Sequence, residues 1–174
     1  LPVLPAELVW EDTLLYINPT GRFVTGGPAA DSGLTGRKPL ADTYGSAARY
    51  GGGSLSGKDP TKADRTGAYL ARYLAKNIVE AGLADRCEVQ LAYAIGLADP
   101  VSVTVDTFGT GTVLDQVLAK WLEENVDMRP GVVSRRFGLT RPIYRPLACY
   151  GCVGENARGM PWERTDLKFP RHFD

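Results

Sequence analysis

The sequence has no run of about 20 apolar residues, so no helix in it is long enough to span a bilayer. It opens on Leu1-Pro2-Val3-Leu4-Pro5, which has neither the basic n-region nor the cleavage pattern of a signal peptide. It also lacks an initiator Met, which leads us to expect a processed chain or the visible part of a longer protein. Charge of one sign is missing too. The 20 Lys and Arg balance 20 Asp and Glu. That argues against a general nucleic-acid or membrane-surface binder, which would need a basic excess. Histidine occurs once, as His172, and cysteine only three times. An odd cysteine count gives no disulfide framework, and a reducing cytoplasm is the expected home. Cys149 and Cys152 form a lone C-x-x-C. A zinc site would need two further ligands, for which only Cys87 and His172 remain. The ordinary reading, two unrelated small residues near a glycine, is preferred.

The chain's 174 residues, 44% of them apolar, suffice for one ordinary domain or two small ones. Glycine is plentiful and unevenly placed. Residues 19–60 hold Gly21, Gly26, Gly27, Gly33, Gly36, Gly45, Gly51, Gly52, Gly53 and Gly57. So long a glycine-rich stretch is uncommon in a compact domain unless it is functional. We therefore divide the chain into a glycine-rich segment, 1–60, and a regular segment, 61–174.

In the regular part, Asp59 as N-cap, Pro60 at the first position and Gly82 past the end predict a helix. Leu70, Ala71, Leu74, Ile78 and Ala81 would be its core stripe. Glu88–Ile95 and Val101–Thr107 alternate as strands, and Asp99-Pro100 turns between them to give an antiparallel pair. A second helix is predicted over 112–125, with Thr112 and Asp115 as a capping box and Leu114, Val117, Leu118, Trp121 and Leu122 as its stripe. A shorter helix is predicted from Arg129-Pro130 to Phe137. The Pro-rich, aromatic tail reads as extended. Helices and antiparallel strands in this order give an α+β class.

The strongest chemical signal is Tyr50-Gly51-Gly52-Gly53-Ser54-Leu55-Ser56-Gly57-Lys58-Asp59-Pro60-Thr61-Lys62. Flexible backbone feeding a helix start, flanked by Lys58 and Lys62, suits a polyphosphate. A tight loop with a solvated basic turn is the ordinary alternative. Gly52–Lys58 fits the first seven positions of a P-loop, but Asp59 stands where Ser or Thr should bind magnesium. Residues 47–50 also make a poor preceding strand, so a P-loop phosphohydrolase is the weaker idea. Arg37 and Lys38, in a glycine-bounded turn, could clamp phosphate oxygens. Phe23 could stack on a base, and Asp31 could hold an ammonium group. Each of these alone is more ordinarily a core or surface residue. Asp64 could bind magnesium or orient a lysine, or simply sit on a helix surface.

Together these segments resemble the S-adenosylmethionine synthetase family. The residues that carry the resemblance are Ile17-Asn18-Pro19-Thr20-Gly21-Arg22-Phe23, Gly26-Gly27-Pro28, Gly33-Leu34-Thr35-Gly36-Arg37-Lys38, Asp42-Thr43-Tyr44-Gly45 and Ser56 to Lys62. Tyr93-Ala94-Ile95-Gly96, Asp127-Met128-Arg129-Pro130, Pro142-Ile143-Tyr144 and Pro161-Trp162-Glu163 continue it in order along nearly the whole chain. The resemblance implies an interleaved fold of similar α+β domains, of which this chain supplies the later segments. It implies attack of the L-methionine sulfur on the ribose 5′ carbon of ATP. The expelled triphosphate is then hydrolysed to pyrophosphate and phosphate, assisted by Mg2+ and K+. By motif position, Arg22, Phe23, Asp31, Arg37, Lys38, Ser54 and Lys58 would bind ATP, with Arg37, Lys38 and Lys58 on the triphosphate as the catalytic cations. Asp31 and Lys62 would bind methionine, and Asp64 would meet the metal. The implied partners are a missing N-terminal part of the same protein and a second subunit of a homodimer or homotetramer, because family sites form between subunits. Neither nucleic acid nor membrane is expected. The isolated chain would then hold an incomplete site. The alternative is a truncated, non-catalytic homologue that binds or regulates a complete subunit. The chain departs from the family pattern at Tyr50 (usually His), Ser54 (Ala), Leu55 (Phe), Pro39 and Ala41 (aliphatics) and Cys152 (His).

Overall fold

The computed structural model describes residues 5, 7, 9–22, 24–30 and 39–173. The chain divides into two units, Leu1–Ser32 and Gly33–Asp174. The described residues of the first unit form turns, held by bonds such as Gly21 N to Asn18 O at 2.8 Å, and a 3-10 turn at Gly27–Ala29. Trp10, Leu14, Leu15, Tyr16, Ile17 and Val24 are exposed there.

The second unit is α+β. A short helix α1 (Pro39–Asp42) and a 3-10 turn (Gly45–Ala47) precede the glycine loop. Helix α2 (Ala63–Glu80), strands β1 (Glu88–Ala92) and β2 (Ser102–Asp106), and helices α3 (Asp115–Asn125) and α4 (Pro130–Phe137) follow. The strands pair antiparallel, with Val89 opposite Val105 and Leu91 opposite Val103. This is the hairpin expected from the alternation. Val101, which the alternation groups with Val103 and Val105, is exposed, because it precedes β2 and only its N–H joins the ladder, bonding Ala92 O at 2.8 Å.

Helix α2 organises the core. Leu70, Leu74 and Ile78 are fully buried, and burying each such side chain contributes about 1.5–3 kcal/mol. The helix ends as predicted, with Ala81 as C-cap and Gly82 at φ +71°, a left-handed conformation that glycine adopts without strain. Its start differs from the prediction. The first helical residue is Ala63 and Lys62 is the N-cap. Asp59 does not cap it, because its carboxylate is taken by the N–H of Thr61 (2.8 Å) and the Thr61 hydroxyl. The expected Thr112–Asp115 capping box is also absent. Asp115 instead accepts from Thr107 Oγ1 at 2.6 Å, and Thr112 Oγ1 donates to Leu83 O at 3.2 Å. Helix α4 follows its prediction, with Pro130 in the first turn and Gly138 in the left-handed conformation after Phe137.

The tail, expected to be extended, contains 3-10 turns at Arg145–Ala148, Gly154–Ala157 and Pro161–Glu163. The Asn156 amide gathers it, donating to the carbonyls of Pro146 (3.0 Å), Cys149 (2.8 Å) and Gly151 (2.8 Å). Trp162, fully buried, stacks on Tyr69 of α2 with centroids 3.7 Å apart and planes 3° from parallel. Its indole N–H donates to Cys152 O at 2.8 Å. Glu163 receives Arg72 (2.8 and 2.9 Å) and Lys76 (2.9 Å). Buried Asn77 donates to Arg164 O at 2.9 Å and accepts from Leu167 N at 2.8 Å. From Tyr69 to Asn77, α2 thus pins the tail through a ring, ions and an amide. The cysteines are free: Cys149 is exposed and Cys152 buried.

Candidate active site

Arg49 precedes the glycine loop. Arg49 reaches across to both strands, pairing with Glu88 at 2.7 Å and with Asp106. Residues 45–50 form no strand, so the P-loop requirement for a buried strand fails. The other half of that requirement fails as well, because α2 begins five residues after Lys58. Two turns intervene, closed by Lys58 N to Leu55 O and Lys62 N to Asp59 O, both 3.2 Å. Lys58 and Lys62 therefore lie on successive turns and do not share a helix start.

Within this arrangement the Lys58 ammonium pairs with the Asp64 carboxylate in the first turn of α2. The loop backbone makes room for that carboxylate. A Cβ on Gly53 would lie 2.2 Å from Asp64 Oδ1, so any side chain there would displace the acid. Lys58 and Asp64 are both partly exposed, 31% and 48%. A pair so exposed typically stabilises the fold by only about 0–1 kcal/mol.

Of the residues singled out from the sequence, Lys58 and Asp64 are brought together. Ser54 lies half-buried in the same loop, with its hydroxyl 3.5 Å from Ser56 O. Lys62 is exposed at the N-cap, and its carbonyl accepts from Thr66 Oγ1 at 3.1 Å. Arg22 is exposed in the first unit. Phe23, Asp31, Arg37 and Lys38 lie outside the described residues.

The departures at Tyr50, Leu55 and Cys152 fall around the same loop. The Tyr50 hydroxyl is shielded from solvent and has no hydrogen-bond partner among the described residues. Burial first, then the Asp64 and Asp42 carboxylates, push its pKa to about 12, so it stays a neutral donor. Cys152 Sγ lies 3.3 Å from Asp42 O, and burial raises the thiol to about 11, which leaves it an inert packing group. Leu55 is buried.

Arg65 is not among the residues that the sequence motifs single out. It lies nine-tenths buried under the loop, with Nη1 donating to Lys58 O at 2.5 Å and Nε to Tyr69 Oη at 3.0 Å. Its guanidinium carbon is 3.8 Å from the centroid of the Tyr144 ring. A signal existed: Arg65, Tyr69 and Tyr73 recur at four-residue spacing, on a helix face that proves buried.

No group of three or more potential metal-ligating side chains occurs among the described residues. Asp64 is a single carboxylate beside the glycine loop, paired with Lys58. That fits magnesium, which is typically held by one or two carboxylates with waters and phosphate oxygens completing the shell. No helix among the described residues is long and apolar enough to cross a membrane.

Comparison with known proteins agrees with this architecture. The sequence matches the model of the S-adenosylmethionine synthetase C-terminal domain over residues 25–164. It is 59% identical over 166 residues to the S-adenosylmethionine synthase of Maridesulfovibrio salexigens, covering 95% of this chain and 43% of that protein. A solved structure, an unusual S-adenosylmethionine synthetase from Campylobacter jejuni, superposes with a TM-score of 0.71 at 46% identity, covering 94% of this chain and 44% of the other. The chain thus spans less than half the length of these relatives. The glycine loop, the α2 start that answers it and the α+β scaffold behind them belong to a chain of the S-adenosylmethionine synthetase family, of which it carries the C-terminal domain.

Proposed function

We propose that this chain is the C-terminal part of a methionine adenosyltransferase. In this reading the sulfur of L-methionine attacks the ribose 5′ carbon of ATP, the C–O bond to the triphosphate breaks, and the expelled triphosphate is hydrolysed to pyrophosphate and phosphate. The observation that carries the reading is the placement of Lys58 against Asp64 at the glycine loop, inside a stretch 59% identical to a named synthase. A leaving group with so many negative charges needs cations already in position.

Lys58 is such a cation. On binding, it would trade the Asp64 carboxylate for phosphate oxygens. Asp64, released, would be free to meet the magnesium. Magnesium and potassium supply charge neutralisation of the polyphosphate. Arg37 and Lys38 would add a fork and a point charge on the triphosphate. Arg22 and Phe23 would line the adenosine, with Ser54 on the loop side. Asp31 and Lys62 would receive the methionine ammonium and carboxylate. The remainder of a longer chain and a second subunit would complete the site, in the cytoplasm.

The test is an assay of the native-length protein with ATP, L-methionine, Mg2+ and K+, following S-adenosylmethionine by chromatography and phosphate release in parallel. Methionine-dependent product formed together with pyrophosphate and phosphate is expected. ATP hydrolysis without any adenosyl transfer would overturn the reading.

A further inference from the structure

A cavity of about 320 Å3 opens between the Leu55–Gly57 turn, the start of α2 and the 144–152 segment. We propose that it is an oxyanion-binding site, separate from the Lys58 triphosphate position, in which Arg65 holds a phosphate-class group.

Arg65 is the reason. An arginine keeps its charge at any physiological pH. Burying a guanidinium without a counter-charge is costly. Among the described residues no carboxylate comes within ion-pair distance of it. Nε and Nη1 are used on Tyr69 Oη and Lys58 O, and Tyr144 covers one face of the plane. Nη2 donates to nothing among the described residues, and Arg65 lines the cavity. A planar cation with spare N–H donors bordering a cavity matches the fork geometry that phosphate oxygens take.

The rest of the lining agrees. Arg145 adds a second positive charge, and Ser56 contributes a hydroxyl. Asp42 also borders the space; it is buried and already partnered. The volume exceeds that of one phosphate and leaves room for a small organic group attached to it. Leu55 and Cys152 both line the cavity, and both are smaller than the Phe and His of the family pattern. The space is thus opened where this chain departs from that pattern. Arg65 touches the carbonyl of Lys58 directly, so an occupant is sensed by the backbone that carries the proposed triphosphate lysine.

The experiment uses the native-length protein carrying Lys58→Met, which silences the loop lysine, titrated calorimetrically with inorganic phosphate and separately with glycerol 3-phosphate. Saturable binding is expected, weakened at least tenfold by Arg65→Lys, which removes the fork. Leu55→Phe should weaken it to a similar degree by filling the space; it restores the family residue and should leave the melting temperature unchanged. Tighter binding of inorganic phosphate than of the ester would mark a free ion as the occupant, and the reverse a phosphorylated metabolite. No saturable binding, or binding indifferent to both Arg65→Lys and Leu55→Phe, would overturn the proposal.

Discussion

The two ends of α2 use the same kinds of residue for opposite purposes. At its C-terminal half, Arg72 and Lys76 converge on Glu163, whose side chain is 8% exposed, and Asn77 bonds the tail at Arg164 O and Leu167 N. Both cations of that half are spent on the tail. At its N-terminal end, Lys58 and Asp64 pair in a half-exposed setting, and Arg65 is buried without a carboxylate among the described residues. A buried, fully bonded ion cluster is costly to break, whereas a partly solvated pair contributes only about 0–1 kcal/mol. The helix thus has an end tied to the tail and an end to which the proposed function assigns the ligands.

The contrast can be broken at several points. The largest effect is expected from Trp162→Ala, which removes the ring stacked on Tyr69 and leaves a void. Denaturant unfolding should show a loss of about 3–5 kcal/mol. Next is Lys58→Met, for which adenosyl transfer should fall on the order of 100- to 1000-fold, the usual consequence of losing one preorganised charge-stabilising group. Its unfolding free energy should change by less than about 1 kcal/mol. Asn77→Ala should cost about 1–3 kcal/mol, because the Leu167 N–H and the Arg164 carbonyl lose their partner. Hydrogen exchange should then quicken in the tail before it quickens in α2.

The smallest effect is a pH dependence. Burial alone would raise the Glu163 pKa, but hydrogen bonds from Arg72 and Lys76 outweigh it and hold the carboxyl below its ordinary value of 4.5. A depressed carboxylate stabilises the fold above that ordinary value and loses the contribution as pH falls through the lower, folded-state value. Glu163→Gln should therefore be less stable than wild type at neutral pH. The gap should narrow below pH 4.5 as the wild-type carboxyl takes up its proton.

Much of the scaffold was legible from the sequence because it rests on periodicity. The α2 stripe, its glycine stop, the hairpin and α4 all follow from spacing and end signals. What failed were places where one polar group had two possible partners. Asp59 could cap a helix or close a turn on Thr61, and the nearer Thr61 took it. Asp115 could box with Thr112, but Thr107, just past the end of β2, holds it instead. The tail looked extended because proline hides 3-10 turns, and Asn156, which gathers it, carries no local pattern. At the candidate site, the glycine spacing shows the loop and its lysines, and the sequence allows Asp64 to orient a lysine; in the structure it pairs with Lys58. Arg65 was passed over because charge on a helix is normally read as surface, and only packing reveals that its face turns inward.

The central claim is that ligand chemistry and stability are segregated along α2. The most direct test measures melting temperature and S-adenosylmethionine formation together in Lys58→Met and Glu163→Gln of the native-length protein. The account predicts that Lys58→Met loses at least about 100-fold in rate with an unchanged melting temperature. It predicts that Glu163→Gln melts lower yet keeps its rate within about threefold well below the transition. A Lys58→Met variant that melts early, or one that still transfers the adenosyl group at the wild-type rate, would contradict it.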